Sequence, residues 1–157
     1  MRDFEFAGLI PECCSEVLDA MYFTTVLETG PQKTGPEGAP SIDALVAFSL
    51  RFVGDLSGRF GIFLELATAR KLAANFLGEE ESGISSVEAG EVAGELANMF
   101  CGSVMSRVEG EHKFVLSHPE GASVPSSDLG GDFLWRLATD SGDITVWMTI
   151  EEDLCRP

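Results

Sequence analysis

Residues 85–108 read SSVEAGEVAGELANMFCGSVMSRV, a run without proline that predicts one long helix. Ser86 is the expected N-cap, and Glu88 falls in the first turn, where a carboxylate suits the positive end of the helix dipole. Gly110 is the expected stop. At about 3.6 residues per turn the run divides into three stripes. Val92, Ala93, Leu96, Met99, Phe100 and Val104 form a broad apolar face for a core. Gly90, Gly94, Ala97 and Cys101 form an edge of small residues. Glu88, Glu91, Glu95, Asn98, Gly102 and Ser106 form a polar or small third stripe.

Each interior glycine costs a helix about 1 kcal/mol relative to alanine. The small stripe therefore implies close approach by another backbone, and a second helix is the expected neighbour. The polar stripe reads, from spacing alone, as a solvated face. A sharper reading concerns Glu95 and Asn98, which project side by side because residues three apart on a helix are neighbours. A carboxylate can pair with a partner's lysine, and a carboxamide can hold a water by donating and accepting at once.

The run Glu95-Leu-Ala-Asn98-Met-Phe-Cys-Gly102 resembles the E-x-x-N-x-x-x-G signature of the CheC/CheX/FliY family of chemotaxis phosphatases. Phe114-Val-Leu-Ser-His-Pro119 is similar to the strand and proline that follow that helix in the family. Leu56-Ser-Gly58 with Phe60 to Leu66 is similar to its earlier strand pair. The resemblance spans roughly 10–151. Glu91 stands where the family often has Asp or Ser, and the gap from Asn98 to Pro119 is about one residue short of the usual spacing.

A chain of 157 residues with 45% hydrophobic and 23% charged residues is long enough, and ordinary enough, for one globular domain over 1–157. The formal net charge of −16 repels phosphates, so nucleic acid and an anionic membrane surface are excluded as partners. No signal peptide and no run long enough to cross a membrane is read, so a cytoplasmic protein is expected. Cys13, Cys14, Cys101 and Cys155 contain no C-x-x-C and read as reduced, small apolar residues. His112 and His118 form no recognisable metal site.

Along the chain, 11–26 reads as a first helix with Pro11 in its first turn and Cys14, Val17, Leu18, Met21 and Tyr22 or Phe23 inward. This helix is the expected neighbour of the small stripe. Some family members carry a second active motif here; its register would fall on Ser15, Asp19 and Tyr22, and tyrosine lacks the paired donor and acceptor of a carboxamide. Residues 28–41 read as a flexible Gly/Pro-rich loop. Strands are expected at 43–53 and 59–66, then a helix at 67–77 with Leu72, Ala73, Phe76 and Leu77 inward, and a solvated acidic turn at 78–83. After the central helix, strands are expected at 112–117, 133–138 and 144–150, with a loop at 121–131, a turn at 140–143 and a frayed tail from 151. Trp135 and Trp147 read as packing residues.

The resemblance implies an α/β (α+β) sandwich, an antiparallel-rich sheet covered by long helices. It implies a phosphatase acting on the aspartyl phosphate of a response-regulator receiver domain, in chemotaxis or related two-component signalling. Glu95 would pair with the receiver's lysine, and Asn98 would orient the attacking water. Glu91, Glu88 and Gly102 would face the partner. The receiver would bring Mg²⁺, so this chain needs no metal ligands. It also implies a homodimer, for which the apolar C-terminal strands are the expected edge. The alternative is a non-catalytic module of the same fold that binds a receiver or a flagellar or signalling partner.

Overall fold

The computed structural model describes residues 2–31, 45–54, 57–108, 114–121 and 133–151. Helix α1 spans Arg2–Tyr22, and strands β1, β2 and β3 span Val26–Pro31, Leu45–Val53 and Ser57–Glu65. Helix α2 spans Leu66–Leu77 and helix α3 Ser86–Val108, separated by a 3₁₀ turn at Glu81–Gly83. Strands β4 (Val115–Leu116), β5 (Glu120–Gly121), β6 (Phe133–Thr139) and β7 (Gly142–Glu151) follow. The strands form one sheet in the order β1-β6-β7-β3-β2-β4, with β5 also on β2. Every pairing is antiparallel. The expected helix-covered antiparallel fold is therefore present.

Alternation along the strands assigns one sheet face to the helices. Leu50 and Phe52 of β2, Phe60, Ile62 and Leu64 of β3, and Ile144, Val146 and Met148 of β7 are buried in one core with Leu96, Phe100 and Val104 of α3. Trp135 packs against that core, as expected. Trp147 lies on the other face, over Gly61, where a Cβ would sit 2.3 Å from the indole. The bare glycine lets the ring lie flat across the strand.

Several expectations are corrected. Helix α1 begins at Arg2, and Pro11 lies inside it rather than in its first turn. It ends at Tyr22, because Phe23 adopts φ 49° and breaks the helical path. Tyr22 is the inward residue, whereas Phe23 is 75% exposed and Met21 is also exposed. Residues 28–31 are not loop: they belong to β1, which among the described residues pairs with β6 alone. An edge strand tolerates glycine and proline, which is why this strand carries loop-like composition. Residues 32–41 lie outside the described residues, as do Gly110, 122–131 and the tail from 152.

Leu77, expected inward, is exposed at the end of α2, where Gly78 turns the chain at φ 70°. Of the strand expected at 112–117, only Val115–Leu116 is strand among the described residues. The C-terminal strands offer no free edge: β7 lies between β6 and β3, and β6 between β1 and β7. The sheet's outer members are β1 and the short β4 and β5.

Candidate functional site

Helix α3 starts one residue earlier than expected in its capping. Ser85, not Ser86, is the cap: its Oγ accepts from the Glu88 N–H at 3.0 Å, and the Glu88 carboxylate accepts from the Ser85 N–H at 3.1 Å. This is a reciprocal capping box, and it gives Glu88 a structural use at the helix start. Ser86 instead accepts a hydrogen bond from Arg70 of α2 at 3.0 Å.

The helix is wedged on both sides. Against one side lies α1, running antiparallel. Its Tyr22 hydroxyl approaches Met99 Sδ at 3.6 Å, the Cys13 thiol approaches the Ser103 carbonyl at 3.7 Å, and Glu12 and Glu16 pair with Arg107. Tyr22 also stacks on Phe76 of α2, ring centroids 4.9 Å apart. Cys13, Cys14 and Cys101 are buried free thiols. Burial pushes the Cys101 thiol up to about 12 and Cys14 well above its usual value, so they pack as apolar groups, as expected.

Against the other side lies the sheet. A Cβ at Gly94 would sit 3.2 Å from the Phe48 ring of β2, and one at Gly102 would sit 3.8 Å from Leu116 Cδ1 of β4. The small stripe thus has a different cause from the one expected: an aromatic ring, not a helix backbone, presses on Gly94, and nothing lies within 4 Å of a Cβ at Gly90. The segment around β4 is itself pinned to β2. The Ser117 N–H donates to the Arg51 carbonyl at 2.8 Å, and the Arg51 N–H donates to Ser117 Oγ at 2.8 Å. A serine hydroxyl so continues the ladder just before Pro119, which has no N–H to offer. The fold brings the Phe114–Pro119 segment beside the glycine of the E-x-x-N-x-x-x-G run.

Between these flanks the polar stripe of α3 faces outward. Glu91 and Glu95 are exposed; Glu88, Asn98 and Gly102 are half-buried; Ser106 is exposed. Glu95 and Asn98 stand about 60° apart around the helix, at about 100° per residue. Among the described residues neither side chain has a hydrogen-bond or ion-pair partner. Glu95 lies on the α1 side: besides burial, its negative charge raises the Tyr22 hydroxyl's pKa. Gly102 lies on the β4 side. Chemically, Glu95 and Asn98 offer a carboxylate beside a carboxamide, both without a partner among the described residues and mounted on a helix held by core contacts along its other faces.

Elsewhere, Asp19 is exposed and Ser15 half-buried on α1, while Tyr22, the third position of that register, is fully buried. No group of three or more His, Cys, Asp or Glu side chains is placed to hold a metal among the described residues. Among these residues no helix is long and apolar enough to cross a membrane. Sequence periodicity could not separate Tyr22 from Phe23, and so did not show that the second ring stands in solvent.

Comparison with known proteins follows the same lines. The family model described as chemotaxis phosphatase CheX matches residues 46–147. The fold is similar to a chain of the CheX–CheY–BeF₃–Mg²⁺ complex from Borrelia burgdorferi, with a TM-score of 0.69 at 18% identity over 94% of this chain and 98% of that one. It is similar to the chemotaxis protein CheX from Vibrio vulnificus, with a TM-score of 0.64 at 22% identity over 94% and 99%. It is also similar to FliY from Thermotoga maritima, with a TM-score of 0.59 at 13% identity over 95% and 89%. No curated protein sequence matches. With the match covering more than half of its length, the chain belongs to the CheX family of chemotaxis phosphatases.

Proposed function

We propose that this chain hydrolyses the aspartyl phosphate of a response-regulator receiver domain. The observation that carries the reading is the position of Glu95 and Asn98: exposed or half-exposed on a 23-residue helix, with no partner of their own among the described residues. Water satisfies both side chains, so the fold itself does not depend on them. A partner gives the pair a use. The related fold from Borrelia is found in a complex with CheY, BeF₃ and Mg²⁺, which supports a receiver as that partner.

In this reading Glu95 forms an ion pair with the receiver's lysine and sets the docked orientation. Asn98 enters the phosphorylation pocket. Its carbonyl accepts from a water and its NH₂ donates to the phosphoryl group, which holds the water in line with the scissile bond. The water oxygen bonds to phosphorus as the bond from phosphorus to the aspartyl oxygen breaks. The aspartate leaves as a carboxylate, and the water's protons pass to solvent and to the released inorganic phosphate. Mg²⁺ belongs to the receiver. Glu91 and Gly102 extend the docking face. This chain's contribution is positioning and electrostatics, the main resources available in phosphoryl transfer. Such a substrate places the protein in the cytoplasm. A paired state would use β1 or the β4–β5 side, since β6 and β7 are interior.

Phosphate release from a phosphorylated receiver tests the reading. Asn98→Ala should lower turnover about 100-fold or more, the scale of losing one positioned polar group at a reacting centre, with unchanged thermal unfolding. Glu95→Ala should weaken receiver binding. Unchanged phosphate release by the Asn98 variant would leave only the binding module.

A further inference from the structure

The chain that runs along the outer side of β2 is interrupted. Leu116 of β4 stands opposite Phe52, and Glu120 of β5 stands opposite Ser49. Between them Ser117, His118 and Pro119 face only Leu50 and Arg51, and the extra residue makes the chain bulge from the ladder. Pro119 has no N–H for the ladder and restricts His118 to extended backbone, so the bulge is stiff. Ser117 fixes its start. The Ser117 N–H donates to the Arg51 carbonyl at 2.8 Å, and Ser117 Oγ accepts from the Arg51 N–H at 2.8 Å, in the place of a strand carbonyl. The same hydroxyl donates to the His118 carbonyl at 3.4 Å.

Two contacts set this bulge beside Asn98. Gly94 of α3 meets the ring of Phe48, the residue opposite Gly121 just past one end of the bulge. Gly102 meets Leu116 at the other end. Asn98 lies about one turn from each glycine, and each step of four residues rotates only about 40° around the helix. Asn98 therefore stands between the two contacts in height and in azimuth, on the side turned to the bulge. Its burial agrees: Asn98 is half-buried, whereas Glu95, farther toward α1, is exposed. Pro119 is half-buried as well. Asn98 has no hydrogen-bond partner among the described residues, so the bulge acts on it by shape. The carboxamide keeps its donor and its acceptor for a water.

We propose that Ser117 is a positioning residue for Asn98: its hydroxyl pins the 117–119 bulge as a wall that narrows the carboxamide's rotamers. This deepens the phosphatase reading and rests on it. Without the hydroxyl the Arg51 N–H loses its acceptor, the bulge is released, and Asn98 regains the rotamers that the wall excludes. At a reacting centre a misplacement of about 1 Å costs on the order of a hundredfold in rate.

The test compares Ser117→Ala, Ser117→Cys, Ser117→Thr and Arg51→Ala in the full chain. A phosphorylated receiver domain reports turnover, and the same receiver loaded with beryllofluoride and Mg²⁺ reports binding. Alanine removes the hydroxyl, and cysteine keeps its size but is a weak acceptor. In both variants kcat should fall about tenfold or more, with KM and Kd within about twofold of wild type. Ser117 is exposed and one hydrogen bond is lost, so the unfolding temperature should move by no more than about 4 °C. Threonine keeps the hydroxyl and should restore kcat. Arg51→Ala breaks the Arg51–Glu151 ion pair on the same strand but keeps the N–H that Ser117 accepts, so its kcat should match wild type. Wild-type kcat in the alanine and cysteine variants overturns the wall. So does an equal loss in Arg51→Ala, which marks a general loosening of the edge, and so does a rise in KM and Kd with kcat kept. Each of these outcomes, alongside an inactive Asn98→Ala, leaves the phosphatase reading standing. A wild-type chain that dephosphorylates no receiver, or a fully active Asn98→Ala, removes that reading and the role of Ser117 together.

Discussion

Gly102→Ala separates what the fold needs from what a partner needs. Gly102 sits inside α3, where alanine is favoured over glycine by about 1 kcal/mol. The new Cβ would meet only Leu116 Cδ1, at 3.8 Å, an ordinary contact. The fold therefore has no steric use for this glycine, and the variant should be more stable by about 0.5–1 kcal/mol, raising Tm by about 1–4 °C for a chain of this size. Yet Gly102 lies on the stripe that carries Glu95 and Asn98. If a receiver packs there, an added methyl intrudes into a close interface, at a cost of about 1–3 kcal/mol, or about 5-fold to about 150-fold in kcat/KM. Thermal unfolding and steady-state phosphate release, run on the same preparations, give both numbers. Gly90→Ala is the control: nothing lies within 4 Å of its Cβ, and it faces away from the stripe, so it should gain stability with turnover unchanged. A less stable Gly102→Ala would refute the reading of its surroundings. A more stable variant with full activity would refute Gly102 as part of the docking face.

Two further outcomes follow from the packing. Gly61→Ala forces a Cβ to 2.3 Å from the Trp147 indole, so it should cost about 1–3 kcal/mol, seen as a lower urea midpoint with altered tryptophan fluorescence. The Arg107 guanidinium holds the Glu16 carboxyl below its ordinary value near 4.5. A lowered folded pKa means that the pair's contribution is present above that value and lost as pH falls through the folded one. Glu16→Gln should therefore flatten the acid side of the stability profile, measured by chemical denaturation between neutral pH and pH 3. Both partners are solvent-exposed, so the difference should be small.

The sequence was most legible where one pattern dominates. The three-stripe period of α3 placed the helix within a residue, and strand alternation found β2, β3, β6 and β7. Legibility failed where a residue type has two physical uses. Pro11 reads as a helix start but lies in mid-helix. Gly30 and Pro31 read as loop but sit on an edge strand, where a missing N–H or side chain does little harm. β4 and β5 are two residues each, too short for alternation to register, and Ser117's bonds to Arg51 tie the intervening segment to β2. Gly94 was read as a site of helix contact because a glycine reports only that something is close. That the neighbour is the Phe48 ring is a property of the folded sheet, not of the helix.

Activity and stability should separate at this site. α3 is secured by residues that do no chemistry: Leu96, Phe100 and Val104 in the core, Tyr22, itself stacked on Phe76, against Met99, Phe48 over Gly94, and the Ser85–Glu88 cap. Glu95 and Asn98 take no part in any of these contacts. Their orientation is thus supplied by the helix, whereas the helix draws nothing from them. Changing either side chain should leave the backbone beneath it in place, so a loss of function there reads directly as a loss of chemistry or docking. The converse holds at Tyr22 and Phe48, where damage reaches the site only by moving the helix. A substitution at those positions should lower Tm and turnover together.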